Sequence, residues 1–148
     1  MLYWEKRTQA DKMRYQRERG VIMKETVLLI NFKDNQKLQK IQRALLPLRV
    51  KMKVITPQEF CQPIGYLAGV KEIVPVKMAA EETELEKEML VFTAIDGDLL
   101  QDILQALRKA GAPVDYKAVL TEHKLTWNCV QLYRELEQEH LAYLQLRS

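Results

Sequence analysis

Two stretches of the chain repeat one arrangement: an apolar run, an amphipathic helix and a second strand. In the first stretch, Val27–Ile30 is followed by Asp34 and by apolar residues at positions 38, 41 and 45. In the second, Met89–Phe92 is followed by Asp96 and by apolar residues at positions 100, 103 and 107, at the same distances from the aspartate. Residues three and four apart share one face of a helix, so each helix has one stripe for a sheet. The pattern predicts an internal duplication of a β-α-β unit.

The strand patterns predict two inner and two outer strands. The runs beginning at Val27 and Met89 are apolar on both faces, whereas Val50–Val54 alternates apolar and charged residues, as a strand at a margin does. If a two-fold axis relates the units, we expect an α+β fold with a ferredoxin-like sheet in order 4-1-3-2 and an added C-terminal helix. The alternative is an α/β parallel sheet in order 2-1-3-4. We favour the first, because the connection between the units then needs no crossover.

A chain of 148 residues fits one domain. We assign residues 1–25 to a basic N-terminal arm and residues 26–148 to a single α/β domain with an acidic linker at 70–88, whose residues 79–86 we expect to be a mobile surface connection. The arm contains seven Lys or Arg and four Asp or Glu, so its surplus equals the formal net charge of +3 of the whole chain. Weak nucleic-acid binding through this arm is one alternative function, but such binding needs a denser basic run, so nucleic acid is not the expected partner.

The chain contains no apolar run of the length that a bilayer span or a signal peptide requires. Cys61 and Cys129 lie far apart without a C-x-x-C spacing, so neither a disulfide framework nor a zinc site is indicated. Together these features predict a cytoplasmic protein with no membrane partner.

Local signals mark the starts of helices. Thr56, Pro57 and Glu59 form a capping box, Asp34 is placed to cap the first helix, and Thr126 is the expected cap of the last one. The last helix has a stripe that we expect to cover the open side of the sheet, with its histidine as a core residue. The stripe consists of Val130, Tyr133, Leu136, His140 and Leu144.

Polar and aromatic residues on or near two loops are the candidate contacts for a ligand or a partner. These residues are Gln62, Tyr66, Lys117 and Trp127. Loops carry binding residues more often than the elements they connect, and aromatic residues are enriched in contact surfaces. Tyr66 and Trp127 equally fit a structural role as plugs at the ends of the core.

A thiol-dependent enzyme is a second alternative function, with Cys129 as nucleophile and His123 nearby in sequence. We favour an inert core thiol at Cys129, because free cysteine is among the most buried residue types. The sequence has no acid/base cluster, no close pair of metal ligands and no glycine-rich phosphate loop. We therefore expect no catalytic residue, no metal and no cofactor.

Three segments resemble a bacterial family known only as domain of unknown function 3783 (DUF3783). They are Gln62–Gly69, Glu88–Val91 and Lys117–Thr121, the last with Trp127 following. The resemblance covers roughly residues 26–141 and implies a family of anaerobic Gram-positive bacteria with no established activity. At Glu122–Lys124 the chain departs from the proline and asparagine expected in relatives.

The observations favour a non-catalytic small-ligand-sensing or protein-interaction module, and the family resemblance implies a bacterial domain. Its expected partner is a small molecule or a protein, and homodimer formation is left open. A fold of this kind hosts many functions, so the candidate contact residues say more about the function of the protein than the fold does.

Overall fold

A computed structural model of the chain describes residues 24–77 and 84–147. In these residues the chain forms four strands and four α-helices, with short 3-10 turns at Leu46–Leu48, Pro57–Glu59 and Glu122–Lys124. The basic arm, apart from its last two residues, lies outside the described residues. In chain order the elements are β1 (Thr26–Ile30), α1 (Asn35–Leu45), β2 (Lys51–Ile55), α2 (Ile64–Leu67), β3 (Met89–Thr93), α3 (Gly97–Lys109), β4 (Tyr116–Val119) and α4 (Cys129–Arg147).

The four described strands form one sheet in the order β2-β1-β3-β4. The favoured ferredoxin-like order 4-1-3-2 is therefore wrong, and the order is that of the alternative, 2-1-3-4. The sheet is not all parallel, however. Within each unit the two strands are parallel, while β1 and β3 pair antiparallel at the centre, with Val27 opposite Phe92 and Leu29 opposite Leu90.

The reason for this arrangement is that each β-α-β unit places its second strand directly beside its first. The free side of β1 then pairs with β3, and no strand of one unit is inserted into the other. A ferredoxin-like sheet needs that insertion. Because the apolar periodicity of the strands is the same in both sheet arrangements, the sequence pattern does not distinguish them. The prediction of two inner strands is confirmed, because all residues of β1 and β3 are buried.

Helices α1 and α3 cover one face of the sheet, called here the back face. The Asp34 carboxylate accepts hydrogen bonds from the amides of Gln36 and Lys37 at 3.0 and 3.3 Å, which confirms the predicted cap of α1. Both helices turn the stripe predicted from their spacing toward the sheet. The back core consists mainly of Val27, Leu29, Ile41, Leu45, Leu90, Phe92, Ile103 and Leu107.

The segments that follow β2 and β4 cover the other face, called here the front face. The predicted capping box is present, because Glu59 accepts hydrogen bonds from the Thr56 amide and hydroxyl at 3.1 Å, but it opens only a three-residue turn. Each segment passes through such a turn and then enters a helix. The front core consists mainly of Leu28, Ile30, Phe60, Ile64, Leu67, Met89, Val91, Leu125, Leu132 and Tyr133.

The described parts of the acidic connection are fastened to the domain. Val70 and Leu85 are buried in the front core, and the buried Asn31 amide donates to the carbonyls of Leu85 and Lys87 at 2.7 and 3.0 Å. The acidic stretch that composition predicts to be a mobile surface connection, residues 79–86, falls mostly outside the described residues, and Leu85 in its described part is buried. Residues 78–83 lie outside the described residues.

Among the described helices, none combines the length and the apolar character that a membrane span requires.

Candidate functional site

The segments after β2 and β4 meet at the middle of the front face. The Ile64 amide donates to the Trp127 carbonyl at 2.7 Å, and the Gly65 amide donates to the Leu125 carbonyl at 2.8 Å. Beside these bonds, Pro63 and Asn128 form an isolated antiparallel bridge. The loops leave opposite ends of the sheet but cross the same face toward each other.

Gln62 has a structural partner in this layer. Its side-chain amide donates to the Val76 carbonyl at 3.1 Å, and its side-chain oxygen accepts from the Val76 amide at 2.9 Å. These two bonds fasten the segment after α2 to the loop, so both polar ends of the Gln62 side chain are occupied.

Tyr66 and Trp127 lie on the two segments that meet. Tyr66 is 39% exposed, and Trp127 is half-buried with the Lys124 ammonium 5.1 Å from its ring centroid. Lys124 in turn forms an ion pair with Glu135 on α4. The cation and the ring therefore stabilise the start of α4 against the loop, and Tyr66 remains the more accessible aromatic of the two.

Lys117 is separated from the other three candidates by the sheet. Its neighbours Tyr116 and Ala118 contribute to the front core, so Lys117 points to the back face, where it lines a surface cavity of about 400 Å³. Its ammonium donates to the Val114 carbonyl at 3.1 Å. Apolar side chains of α3 and the Arg108 guanidinium complete this cavity. The four predicted contact residues thus do not form one site.

A second depression on the back face, of about 680 Å³, lies between α1 and α3. It is shallow and has Lys40 and Arg43 on its rim, with Ala44 and Ala110 as small residues between the helices. Exposed basic side chains on a helix are ordinarily a solvated face, so this depression alone does not indicate a ligand.

The thiol of Cys129 is fully buried, with no exposed surface. Burial raises its pKa to about 12, and the nearby negative charge of Glu59 acts in the same direction. Because the thiolate is the reactive form, this placement gives no support to Cys129 as a nucleophile at neutral pH. His123 is exposed on the turn between β4 and α4.

Metal-ligand residues are scattered in the described parts of the chain. No group of three or more His, Cys, Asp or Glu side chains there is placed to hold a metal ion.

Helix α4 begins two residues later than the sequence suggested. The Asn128 side-chain oxygen accepts from the Gln131 amide at 2.9 Å, and the Gln131 side chain accepts from the Asn128 amide at the same distance. Asn128 therefore caps the helix, and the prediction of Thr126 as the cap is wrong. The mutual pair resembles a capping box with glutamine at the third position, a signal that was present in the sequence.

The first half of α4 packs on the front face. Cys129, Leu132 and Tyr133 are buried, and the Tyr133 ring lies 5.2 Å from the Tyr116 ring in an edge-on contact. The Tyr133 hydroxyl also accepts from the Lys87 amide at 3.1 Å. These contacts fix the direction of the helix over the end of β4 at which Tyr116 lies.

The second half of α4 extends past the sheet, and we call residues 138–147 the projecting segment. All ten are exposed. Their large apolar side chains are exposed by about half or more, at Leu141 (54%), Tyr143 (52%), Leu144 (48%) and Leu146 (87%). A 19-residue helix is roughly 28 Å long, while a five-residue strand spans roughly 17 Å. That mismatch of lengths was the sequence signal for this surface.

His140 lies on the projecting segment and is exposed, so the prediction of a core histidine is wrong. Its ring centroid is 6.1 Å from that of Tyr116, at the last point where α4 passes the sheet. The predicted stripe covers the sheet through Leu136, and its last two members, His140 and Leu144, extend beyond it.

The comparison with family models gives one match in the second unit. The family described as Domain of unknown function (DUF3783) matches residues 88–143. This part of the chain is similar to the DUF3783 family. The DUF3783 match starts just before β3, includes α3 and β4, and ends at Tyr143 within the projecting segment. It is shorter than the resemblance suggested, and the Gln62–Gly69 segment lies outside it. No curated protein and no solved structure matches the chain.

Proposed function

We propose that this domain is a non-catalytic protein-interaction module that docks through the projecting segment of α4. The observation that carries the proposal is the continuation of the sheet-facing stripe into Tyr143 and Leu144, which are exposed beyond the sheet. Exposed apolar side chains that are contiguous on one element are typical of protein contact surfaces. The family match extends to Tyr143, so most of this surface lies inside the matched range.

The stripe itself can be followed residue by residue. Leu132, Tyr133 and Leu136 face the sheet, and steps of three or four residues from them reach His140, Tyr143 and Leu144. An amphipathic helix that docks in a groove or on another helix presents anchors with this spacing. Aromatic anchors such as tyrosine often dominate the binding free energy of such contacts.

Photocrosslinking tests the docking role in the organism from which the chain comes. A photoreactive phenylalanine analogue at Leu144 is expected to give covalent adducts of higher mass after irradiation. The matched control places the same analogue at Gln101, an exposed position on α3. Adducts at both positions alike, or at neither, would contradict the proposed docking surface.

Small-ligand sensing is a second candidate function, and the cavity beside Lys117 favours it. Its volume of about 400 Å³ lies within the usual range for small-molecule sites, and two cations on an apolar wall suit a small anionic compound. In a thermal-shift screen, one such compound should stabilise the native protein but not a Lys117→Gln variant, while Lys109→Gln serves as the control outside the cavity. Equal stabilisation of both variants would exclude this cavity.

We propose a bacterial protein, as the family resemblance implies, and a cytoplasmic one, as the lengths of the apolar runs and the cysteine spacing predict. We also propose that the two units descend from an internal duplication. Apart from the extra 3-10 turn at Leu46–Leu48, both units run through strand, helix, strand, 3-10 turn and helix in the same order. Pro63 and Asn128, at the same point of that order, pair with each other.

A further inference from the structure

We propose that the partner of the projecting segment is a second copy of this chain, and that the two α4 helices pair antiparallel across a two-fold axis. This inference rests on the proposed function, whose docking surface it uses. Closed two-fold dimers are the commonest assemblies of soluble proteins, and they require a surface that is complementary to itself. The projecting segment has this property in both shape and charge.

The apolar stripes of two copies of the helix face each other in register when the helices run antiparallel. His140 lies at one level of the stripe, and Tyr143 with Leu144 occupies the next level. An antiparallel partner therefore places its Tyr143 and Leu144 opposite His140, and the same contact repeats on the other side of the axis. The paired length is roughly 15 Å for ten residues.

The charges of the segment select the antiparallel direction. Glu137 and Glu139 lie near its start, and Arg147 lies at its end. An antiparallel pair brings Arg147 of one helix to the level of Glu137 on the second copy, whereas a parallel pair brings like charges together. Complementary charges beside an apolar seam set the partner and the direction of paired helices.

The start of the described chain lies far from the projecting segment. Lys24 enters β1 at the end where Thr26 lies opposite Thr93. Helix α4 leaves the sheet beside Tyr116, which pairs with Met89, and Met89 lies opposite the other end of β1. Lys24 thus lies at the far end of the sheet from the projecting segment, while a second copy meets that segment without spanning the domain.

Sedimentation velocity of the purified full chain over a range of concentrations tests the pairing. The wild type is expected to change reversibly from monomer to dimer as concentration rises. Leu144→Glu places a charge in the seam and should raise the dissociation constant by about tenfold or more. Ala142→Glu adds the same charge on the opposite side of the helix, and its dissociation constant should equal that of the wild type. Circular dichroism checks that both variants keep the native helix content, and Tyr143→Ser replaces Leu144→Glu if that variant does not fold.

A wild type that stays monomeric at every concentration would overturn the inference, as would a dimer that both glutamate variants weaken equally. The results that overturn the dimer can be distinguished from results that overturn the proposed function. A monomer that still gives photocrosslinked adducts from position 144 removes only the second copy as partner. A chain that gives no adducts from that position in cells removes the docking role.

Discussion

The contact between the two front segments depends on Gly65, so Gly65→Ala is the most direct test of the front layer. A Cβ added at this position would lie 2.8 Å from the Leu125 carbonyl oxygen and 2.9 Å from the Ile73 side chain. The oxygen belongs to the backbone and accepts the Gly65 amide at 2.8 Å, so it cannot move without breaking that bond. The substitution should therefore separate the two segments.

The magnitude follows from three effects. Overpacking of a well-packed site costs about 1–3 kcal/mol, and the weakened hydrogen bond costs about 1 kcal/mol. The higher helix propensity of alanine offsets about 1 kcal/mol of this. The net loss in the free energy of unfolding is about 1–3 kcal/mol, or a fall of about 3–10 °C in Tm for a chain of this size.

Urea denaturation and hydrogen exchange measure the effect and locate it. Gly65→Ala should lower the denaturation midpoint and reduce the protection of the Ile64 and Gly65 amides. Gly69→Ala is the matched control, because nothing lies within 4 Å of its added Cβ and its cost comes from a positive φ of 86° alone. This control should keep the two amides protected. A Gly65→Ala protein as stable as the wild type would refute the close contact.

Three further predictions concern single sites. Asn31→Ala removes two hydrogen bonds from a buried amide and should lower the free energy of unfolding by about 2–3 kcal/mol in urea titrations, and an unchanged midpoint would contradict the anchoring role. Ala94→Gly relieves the strain of a left-handed backbone with φ of 57° and should raise the free energy of unfolding by about 0.5 kcal/mol in the same titrations. An unstrained backbone would give no such gain. Iodoacetamide at neutral pH should label the half-buried Cys61 but not Cys129, whose thiolate forms only near pH 12; mass spectrometry should find one adduct on the native chain and two on the unfolded chain.

The elements that the sequence predicted well are those with a local signal. The spacing from Asp34 to Leu45 set the face of α1, and a side chain only two residues from its target amide made the cap visible. The apolar runs of β1 and β3 identified the central strands, because burial on both faces leaves no polar position. The pattern does not contain the direction in which one unit meets the other, so the strand order had to be chosen between alternatives.

The contacts of the front layer could not be predicted for a different physical reason. The bond from the Ile64 amide to the Trp127 carbonyl joins backbone atoms, and any pair of residues could form it. Leu85 is buried although its neighbours are glutamates, since a single side chain can enter a core from a charged segment. His140 was assigned to the core because periodicity gives the face of a helix but not where the sheet beneath it ends.

The bridge between Pro63 and Asn128 has a consequence for synthesis of the chain. The two residues are 65 positions apart, so the ribosome has to add most of the second unit before the first can close its outer layer. Until then, the apolar residues of β1 and Phe60 have no cover from the later part of the chain. Long-range pairing of this kind slows folding and leaves apolar, aggregation-prone surface exposed to neighbouring molecules. The nascent protein should therefore depend on chaperones until translation is nearly complete.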